Sequence, residues 1–275
     1  KAGCFSRHWD KNLEAGEKWG VEPGRIYPDY HTMLEEEAKR TGEDRLDFVV
    51  VATPNNTHYE IVKDIIAHGF HIVCDKPVTF TSRESEELKA LAQEKDLLFG
   101  VSYSYAHYAI LEQAKKMIAD GVLGKIHTIA AEYPQEWVGL NTALRGKDGL
   151  TWRVDPAICG PSGVIADIGT HVEYLISKVT GLKPVRVLAR LRSIPDYVPV
   201  ESDAQVLIDY DNGAAGIFWT SFAMVGKSCC MKVRIYGDKG GMEWNAHDFM
   251  ELRVDIAGQP TQIWSANYDY CDPQA

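Results

Sequence analysis

No apolar run in the sequence approaches the roughly 20 residues that cross a bilayer, and no signal-like segment stands near its start, so a membrane-spanning role is not expected. Basic residues are outnumbered, 29 Lys and Arg against 39 Asp and Glu, which gives a net charge of -10. That balance argues against nucleic acid as a partner, because phosphates demand a basic surface. The six cysteines (Cys4, Cys74, Cys159, Cys229, Cys230 and Cys271) show no paired metal spacing, and the adjacent Cys229 and Cys230 make a poor disulfide framework. Reduced thiols in a cytoplasmic protein are the expectation. Histidines 58, 68, 71, 107, 127, 171 and 247 have no third and fourth ligands at short spacing, so no metal is expected either. Internal repeats and low-complexity tracts are absent. What remains, 45% hydrophobic and 25% charged residues over a length of 275, suits a soluble globular protein of two modest domains or one large one.

Up to about residue 102 the chain alternates strand and helix signals, the pattern of a doubly wound parallel sheet. A short strand ends near Phe5, and helices are predicted over 10–19, with Gly20 as stop, and over 30–39. The run Asp47-Phe48-Val49-Val50-Val51-Ala52-Thr53 does not alternate, so it suits a strand covered on both faces. Thr57 is placed to cap a helix through Ala67, and Ser82, with Glu84 in the first turn, to start another through Lys95. A second apolar strand ends in Cys74-Asp75-Lys76-Pro77, and a last one covers 97–103. Lys76 thus stands at the carboxyl end of a buried strand, the edge where open α/β sheets collect their ligands. On base rates alone, a lysine there is simply a surface charge.

From residue 103 the pattern changes. A helix is expected over 109–120, then strands over 126–137, 185–194, 204–210, 214–221 and 232–236, with Asp211-Asn212-Gly213 as a hairpin turn. A helix over 162–178 lies between the first two strands. An antiparallel sheet with helices on one face is the implied architecture, and its other face, with Phe218, Trp219 and Phe222 near one strand end, is expected to bury itself against a second copy in a homodimer or homotetramer. Asp167 and His171, four apart on the expected helix, fall on one face. A histidine oriented by a carboxylate is what a base taking a proton from an alcohol requires. An ordinary ion pair on a helix surface is the alternative. Gly169 between them costs about 1 kcal/mol against alanine in a helix, which suggests close packing there.

The segments ATPNNTH at 52–58, HIVCDKPVT at 71–79 and SGVIADIGTH at 162–171 occur in an order and spacing that resemble the glucose-fructose oxidoreductase/inositol dehydrogenase (Gfo/Idh/MocA) family, and YGDKGGMEW at 236–244 resembles its late sheet. The resemblance implies a Rossmann-like nucleotide domain over 1–102 and an α+β domain with a large, mostly antiparallel sheet over 103–275, for substrate binding and oligomerisation. It also implies hydride transfer between a secondary alcohol of a sugar or polyol and C4 of a nicotinamide. Lys76, Asp167 and His171 occupy the family's catalytic positions: His171 as general base and acid, Asp167 as its orienter, Lys76 as a positive donor to the reacting oxygen near the nicotinamide ribose. Many members carry Glu where Asp75 stands, and the Lys-Pro bond is commonly cis.

For the cofactor, Thr53, Pro54, Asn55 and His58 follow a strand and precede a helix, where they reach a dinucleotide, with Asp75 and Lys76 on the next loop. A plain turn with Asn as cap is the other reading. Ser6 and Arg7 end the expected second strand, where NAD-selective proteins often place an acid. An arginine there meets a 2′-phosphate, stacks on adenine or faces solvent, so NAD and NADP both stand. Tyr105, with Tyr103, and the pair Trp152 and Arg153 fall at substrate-contact positions, although Ser104, Ala106 and His107 depart from the commoner Asn-Tyr-Arg pattern. Such a family places a G-x-G-x-x-G turn just ahead of Cys4, and the sequence has none. The chain is therefore expected to be a fragment that lacks the first strand, the phosphate-binding turn and the first helix, and to bind dinucleotide poorly by itself. Two other functions use the same parts: an NAD-dependent glycosidase or lyase with a transient hydride step, and a non-catalytic dinucleotide sensor, which needs no proton acceptor.

Overall fold

The computed structural model describes residues 1–229 and 231–272. They form two compact units, Lys1–Ser102 and Tyr103–Ala275.

In the first unit, α1 (Trp9–Trp19) closes on a left-handed Gly20. The helix α2 (Tyr30–Ala38) starts where the Asp29 carboxylate accepts from Thr32 N at 2.8 Å. Strand β1 (Phe48–Val51), helix α3 (His58–Ala67), strand β2 (His71–Cys74), helix α4 (Ser82–Glu94) and strand β3 (Phe99–Val101) then alternate. The strands pair in the order β1-β2-β3, all parallel, in a register that aligns Val49 with Ile72 and Ile72 with Phe99. Val51, Ile72, Val62, Ile65, Ile66 and Leu88 build the core between the sheet and its helices.

Four expectations change in this unit. The strand near Phe5 is reduced to a single parallel bridge between Gly3 and Ile26. The wholly buried Asn12 organises that segment instead, accepting from Phe5 N (2.7 Å) and Ser6 N (2.6 Å) and donating to Ser6 O (2.8 Å) and Tyr27 O (3.2 Å). Thr57 does not cap α3, because its hydroxyl is bonded back into the preceding turn at Pro54 O (2.7 Å). The α4 cap is Thr81, one residue before Ser82, in a reciprocal capping box with Glu84. Finally, β1 is covered on one face only: Val49 and Val51 are buried while Phe48 is 53% and Val50 61% exposed. An unbroken apolar run reports what a strand can bury, and what it does bury depends on the elements laid over it.

The second unit opens with α5 (Ala109–Ala119) and β4 (Ile126–Pro134). Where strand was expected to continue, α6 (Trp137–Arg145) begins, with the Trp137 ring against Phe222 at 4.7 Å. After the short α7 (Pro156–Cys159), a π-helical turn over Ile165–Gly169 leads into α8 (Thr170–Thr180), in place of one continuous α-helix. Strands β5 (Pro184–Arg192), β6 (Asp203–Tyr210), β7 (Ala215–Ser221), β8 (Lys232–Gly237), β9 (Gly240–Asn245), β10 (Glu251–Ile256) and β11 (Gln262–Ser265) complete the unit, the last two being unforeseen as strands. The eight-stranded order is β11-β10-β9-β8-β4-β7-β6-β5, antiparallel except for β4 with β7. Val206, Phe218, Ala131, Val233, Trp244 and Leu252, in register across six strands, face the core that also takes in α5 and α8.

The neighbouring row on the opposite face runs Leu188, Leu207, Ile217, Ala130, Arg234, Glu243, Arg253 and Ile263. It is open: Leu188 is 69%, Leu207 51% and Ile217 51% exposed. Strand alternation therefore corrects the apolar patch expected here, since Phe218 and Phe222 point inward and are buried, while Trp219 on the open face donates its Nε1 to Asp203 at 2.9 Å.

Candidate active site

At the carboxyl edge of the parallel sheet, the loops after β1 and β2 are tied down by short contacts. Asp75 N donates to Val51 O (2.9 Å), and Ser102 N to Cys74 O (3.1 Å). The Asp75 carboxylate accepts Lys76 N (2.9 Å) and the Ser102 hydroxyl. Lys76 follows at once, half-buried, and the Lys76–Pro77 bond is cis. Thr53 and Pro54 are exposed at the turn, and Asn55 opens the short helical turn before α3. His58, expected among the cofactor contacts, is not exposed as Thr53 and Pro54 are. It is wholly buried, with Nδ1 2.8 Å from Pro77 O and Nε2 2.8 Å from Thr53 O, so its polar atoms are turned to the protein. Ser6 takes His8 N on its hydroxyl at 3.2 Å, and Arg7 is exposed. These loops suit the nicotinamide end of a dinucleotide. A glycine-rich cradle for its pyrophosphate is not in the sequence.

In the second unit, His171 sits in the first turn of α8 and is 7% exposed. Three phenol rings stand around it edge-on or tilted: Tyr105 at 5.2 Å, Tyr103 at 5.3 Å and Tyr133 at 6.4 Å between centroids. Tyr174 stacks on Tyr103 at 4.6 Å. Tyr133 donates its hydroxyl to that of Tyr105 at 3.0 Å, which leaves the Tyr105 proton to point elsewhere. Burial pushes the hydroxyls of Tyr103, Tyr105 and Tyr133 up from the ordinary tyrosine range, so near neutrality all three are protonated donors. Lys178 holds the turn that carries Tyr105 by donating to Ala106 O (2.8 Å) and pairing with Glu112.

Asp167 lies in the π-helical turn, and His171 follows in the first turn of α8, so the segment that joins them is wider than the continuous α-helix their spacing suggested. Such turns recur at functional sites. Arg153 lies 3.7 Å from the Asp167 carboxylate and stacks over Trp152 at 4.9 Å, which gathers the expected pair Trp152 and Arg153 beside Asp167. The packing expected at Gly169 is real: a Cβ there would stand 3.2 Å from the Ile165 side chain. Glu201, absent from the sequence reading, governs the start of this segment. Its Oε1 accepts from Ser162 Oγ (2.6 Å), Gly163 N (2.9 Å) and Ile165 N (3.2 Å). Tyr133 was also missed, although Ile129, Ala131 and Tyr133 alternate inward along β4.

Cys4, Cys74, Cys159, Cys229 and Cys271 carry free thiols, and Cys230 lies outside the described residues. Burial, with the Asp75 charge second, pushes the Cys74 thiol up to about 12, which makes it a poor nucleophile. Among the described residues no group of three or more His, Cys, Asp or Glu is placed to hold a metal ion, and no helix is long and apolar enough to cross a membrane.

A parallel sheet with its functional loops at the carboxyl edge, followed by a histidine-bearing unit built on a large mixed sheet, is the architecture of a nucleotide-dependent oxidoreductase. Family comparison agrees: an oxidoreductase family with an NAD-binding Rossmann fold matches residues 2–103, and the GFO/IDH/MocA C-terminal domain matches 111–243. The chain belongs to the Gfo/Idh/MocA family. It is 36% identical over 273 residues to YfiI of Bacillus subtilis (strain 168), an uncharacterized oxidoreductase, covering 98% of this chain and 69% of that one. An inositol dehydrogenase homolog from Azotobacter vinelandii, solved with NAD+, superposes with a TM-score of 0.91 at 36% identity over 99% of this chain and 70% of its own; its complex with NADH and myo-inositol gives 0.87 at 35% identity over 99% and 69%. Levoglucosan dehydrogenase of Pseudarthrobacter phenanthrenivorans is 27% identical over 231 residues, 76% of this chain and 58% of that enzyme.

Proposed function

We propose that this protein oxidises a secondary alcohol of a sugar or polyol with NAD or NADP as hydride acceptor. One observation carries the reading: a buried histidine is set into a ring of protonated tyrosines within a fold whose relatives include a complex with NADH and myo-inositol. A nicotinamide held at the loops after β1 and β2 would supply the acceptor for the carbinol hydride. His171 accepts the hydroxyl proton, and the Tyr105 hydroxyl, its own oxygen engaged by Tyr133, donates to the substrate. Asp167, with Arg153 beside it, orients the base and its charge. Lys76 is the positive donor that favours the alkoxide as its proton leaves. Trp152 and Arg153 hold further hydroxyls, and Ser6, Arg7, Thr53, Pro54, Asn55 and Asp75 hold the dinucleotide.

The test is a screen of the intact protein against cyclic polyols, aldoses and anhydrosugars, reading reduced cofactor. Reduction by a polyol or sugar that His171→Ala abolishes is the expected result. Normal turnover in His171→Ala, or tightly held cofactor with no net reduction during glycoside cleavage, overturns the reading. We also propose that the open face of the eight-stranded sheet buries against a second copy of this chain. The row from Leu188 to Ile217 is apolar and exposed, which supports the reading, and the Arg234, Glu243 and Arg253 end carries both signs of charge.

A further inference from the structure

Two loops at the carboxyl edge of the parallel sheet share one buried side chain. His58 is the first residue of α3 and is wholly buried. Its Nε2 meets Thr53 O on the loop after β1, and its Nδ1 meets Pro77 O on the loop after β2, both at 2.8 Å. The second loop needs such a tether, because Pro77 has no N–H to contribute and Lys76 N is already given to Asp75. Imidazole is the side chain whose two nitrogens point apart in one rigid plane, so a single ring spans two carbonyls from different segments. When neutral it donates through one nitrogen, and when protonated through both. Phenylalanine would fill the same space and hold neither loop.

The geometry points to His58 as a positioning residue that fixes the main chain of Lys76 and Pro77 to the Thr53 loop, so that the Lys76 side chain leaves from a set place. The inference rests on the reading of Lys76 as a site residue. Both ring nitrogens of His58 are spent on backbone carbonyls, so it acts through backbone.

Two amides report on it: Asp75 N, bonded to Val51 O, and Thr57 N, bonded to Pro54 O, both at 2.9 Å. In His58→Phe, hydrogen exchange at Asp75 and Thr57 rises about 10- to 100-fold, the worth of one or two hydrogen bonds in a local opening, while the capped Glu84 amide on α4 is unchanged. His58→Gln, whose amide nitrogen can reach only one of the two carbonyls, gives a smaller rise and serves alone if the Phe variant does not fold. Unchanged exchange at both amides overturns the tether. Where exchange rises, turnover of the intact protein decides the link to Lys76. The loss caused by His58→Phe is expected to vanish when Lys76→Ala is already present. A loss that simply adds to that of Lys76→Ala, or no loss, overturns the positioning role, whereas failure of the dehydrogenase reading appears as no turnover in the unmodified protein.

Discussion

Glu201→Ala is the substitution whose cost the structure specifies best. One carboxylate oxygen takes three donors at the start of the segment that carries Asp167 and His171: Ser162 Oγ, Gly163 N and Ile165 N at 2.6, 2.9 and 3.2 Å. The hydroxyl can turn to water, so the loss falls on the two amides, which share one acceptor and lie at a helical N-terminus. A hydrogen bond to a charged acceptor is worth about 1.5–3 kcal/mol, and removal of a helix cap costs about 0.5–2 kcal/mol. Because these overlap, about 2–3 kcal/mol is expected for Glu201→Ala and about 1 kcal/mol for Glu201→Gln, which keeps an oxygen but not its charge. The backbone bond from Val164 N to Glu201 O (2.9 Å) survives both changes and keeps the loop near its place. Gly163→Ala attacks the same contact from the other side, since its Cβ would stand 2.4 Å from Glu201 O. Urea titration of the three variants measures the ladder, and turnover is expected to fall in the same order because the π-helical turn loses its anchor. A loss below about 0.5 kcal/mol in Glu201→Ala, or a Gln variant as damaged as the Ala one, refutes the argument.

His171→Ala is expected to lower turnover about 100- to 10,000-fold with cofactor affinity kept, whereas Lys76→Ala lowers both; paired measurements of binding and turnover separate the two roles. For Asp203, wholly buried, burial alone would raise the carboxyl pKa, but hydrogen bonds from Trp219, Arg192 and Gln205 outweigh it and hold the pKa below the ordinary carboxylate range. Its stabilisation is thus complete above the unfolded pKa of about 3.9 and is lost as pH falls through the lower folded value, so the unfolding midpoint of the wild type should drop below about pH 4 more steeply than that of Asp203→Asn. Equal slopes would show that the cluster does not titrate with folding. Lysines at both Leu188 and Leu207 should convert an oligomer to monomer in sedimentation, and a wild type that is monomeric at micromolar concentration removes the interface.

Local chemistry was legible in the sequence wherever one segment decides its own conformation. Helix α1 with Gly20, the Asp211-Asn212-Gly213 hairpin and the parallel strands ending before Lys76 all fall where propensity and punctuation put them. Partners drawn from afar were not legible. Tyr133 reaches Tyr105 across 28 positions, and Glu201 reaches Gly163 across 38; the alternation along β4 turns Tyr133 inward but does not name its partner, and Glu201 leaves no periodic trace. Asp167 shows how the two levels interact. Its spacing from His171 reads as one turn of α-helix, and a free helix would obey it. In the fold, Glu201 ties down the first amides of the segment, Gly163 lies against the Glu201 backbone, Ile165 packs onto Gly169, and five residues form a π-helical turn before α8 begins. The motif thus places small residues at the widened turn, while the carboxylate that ties down its first amides lies 38 positions away, where sequence proximity never brings it into view.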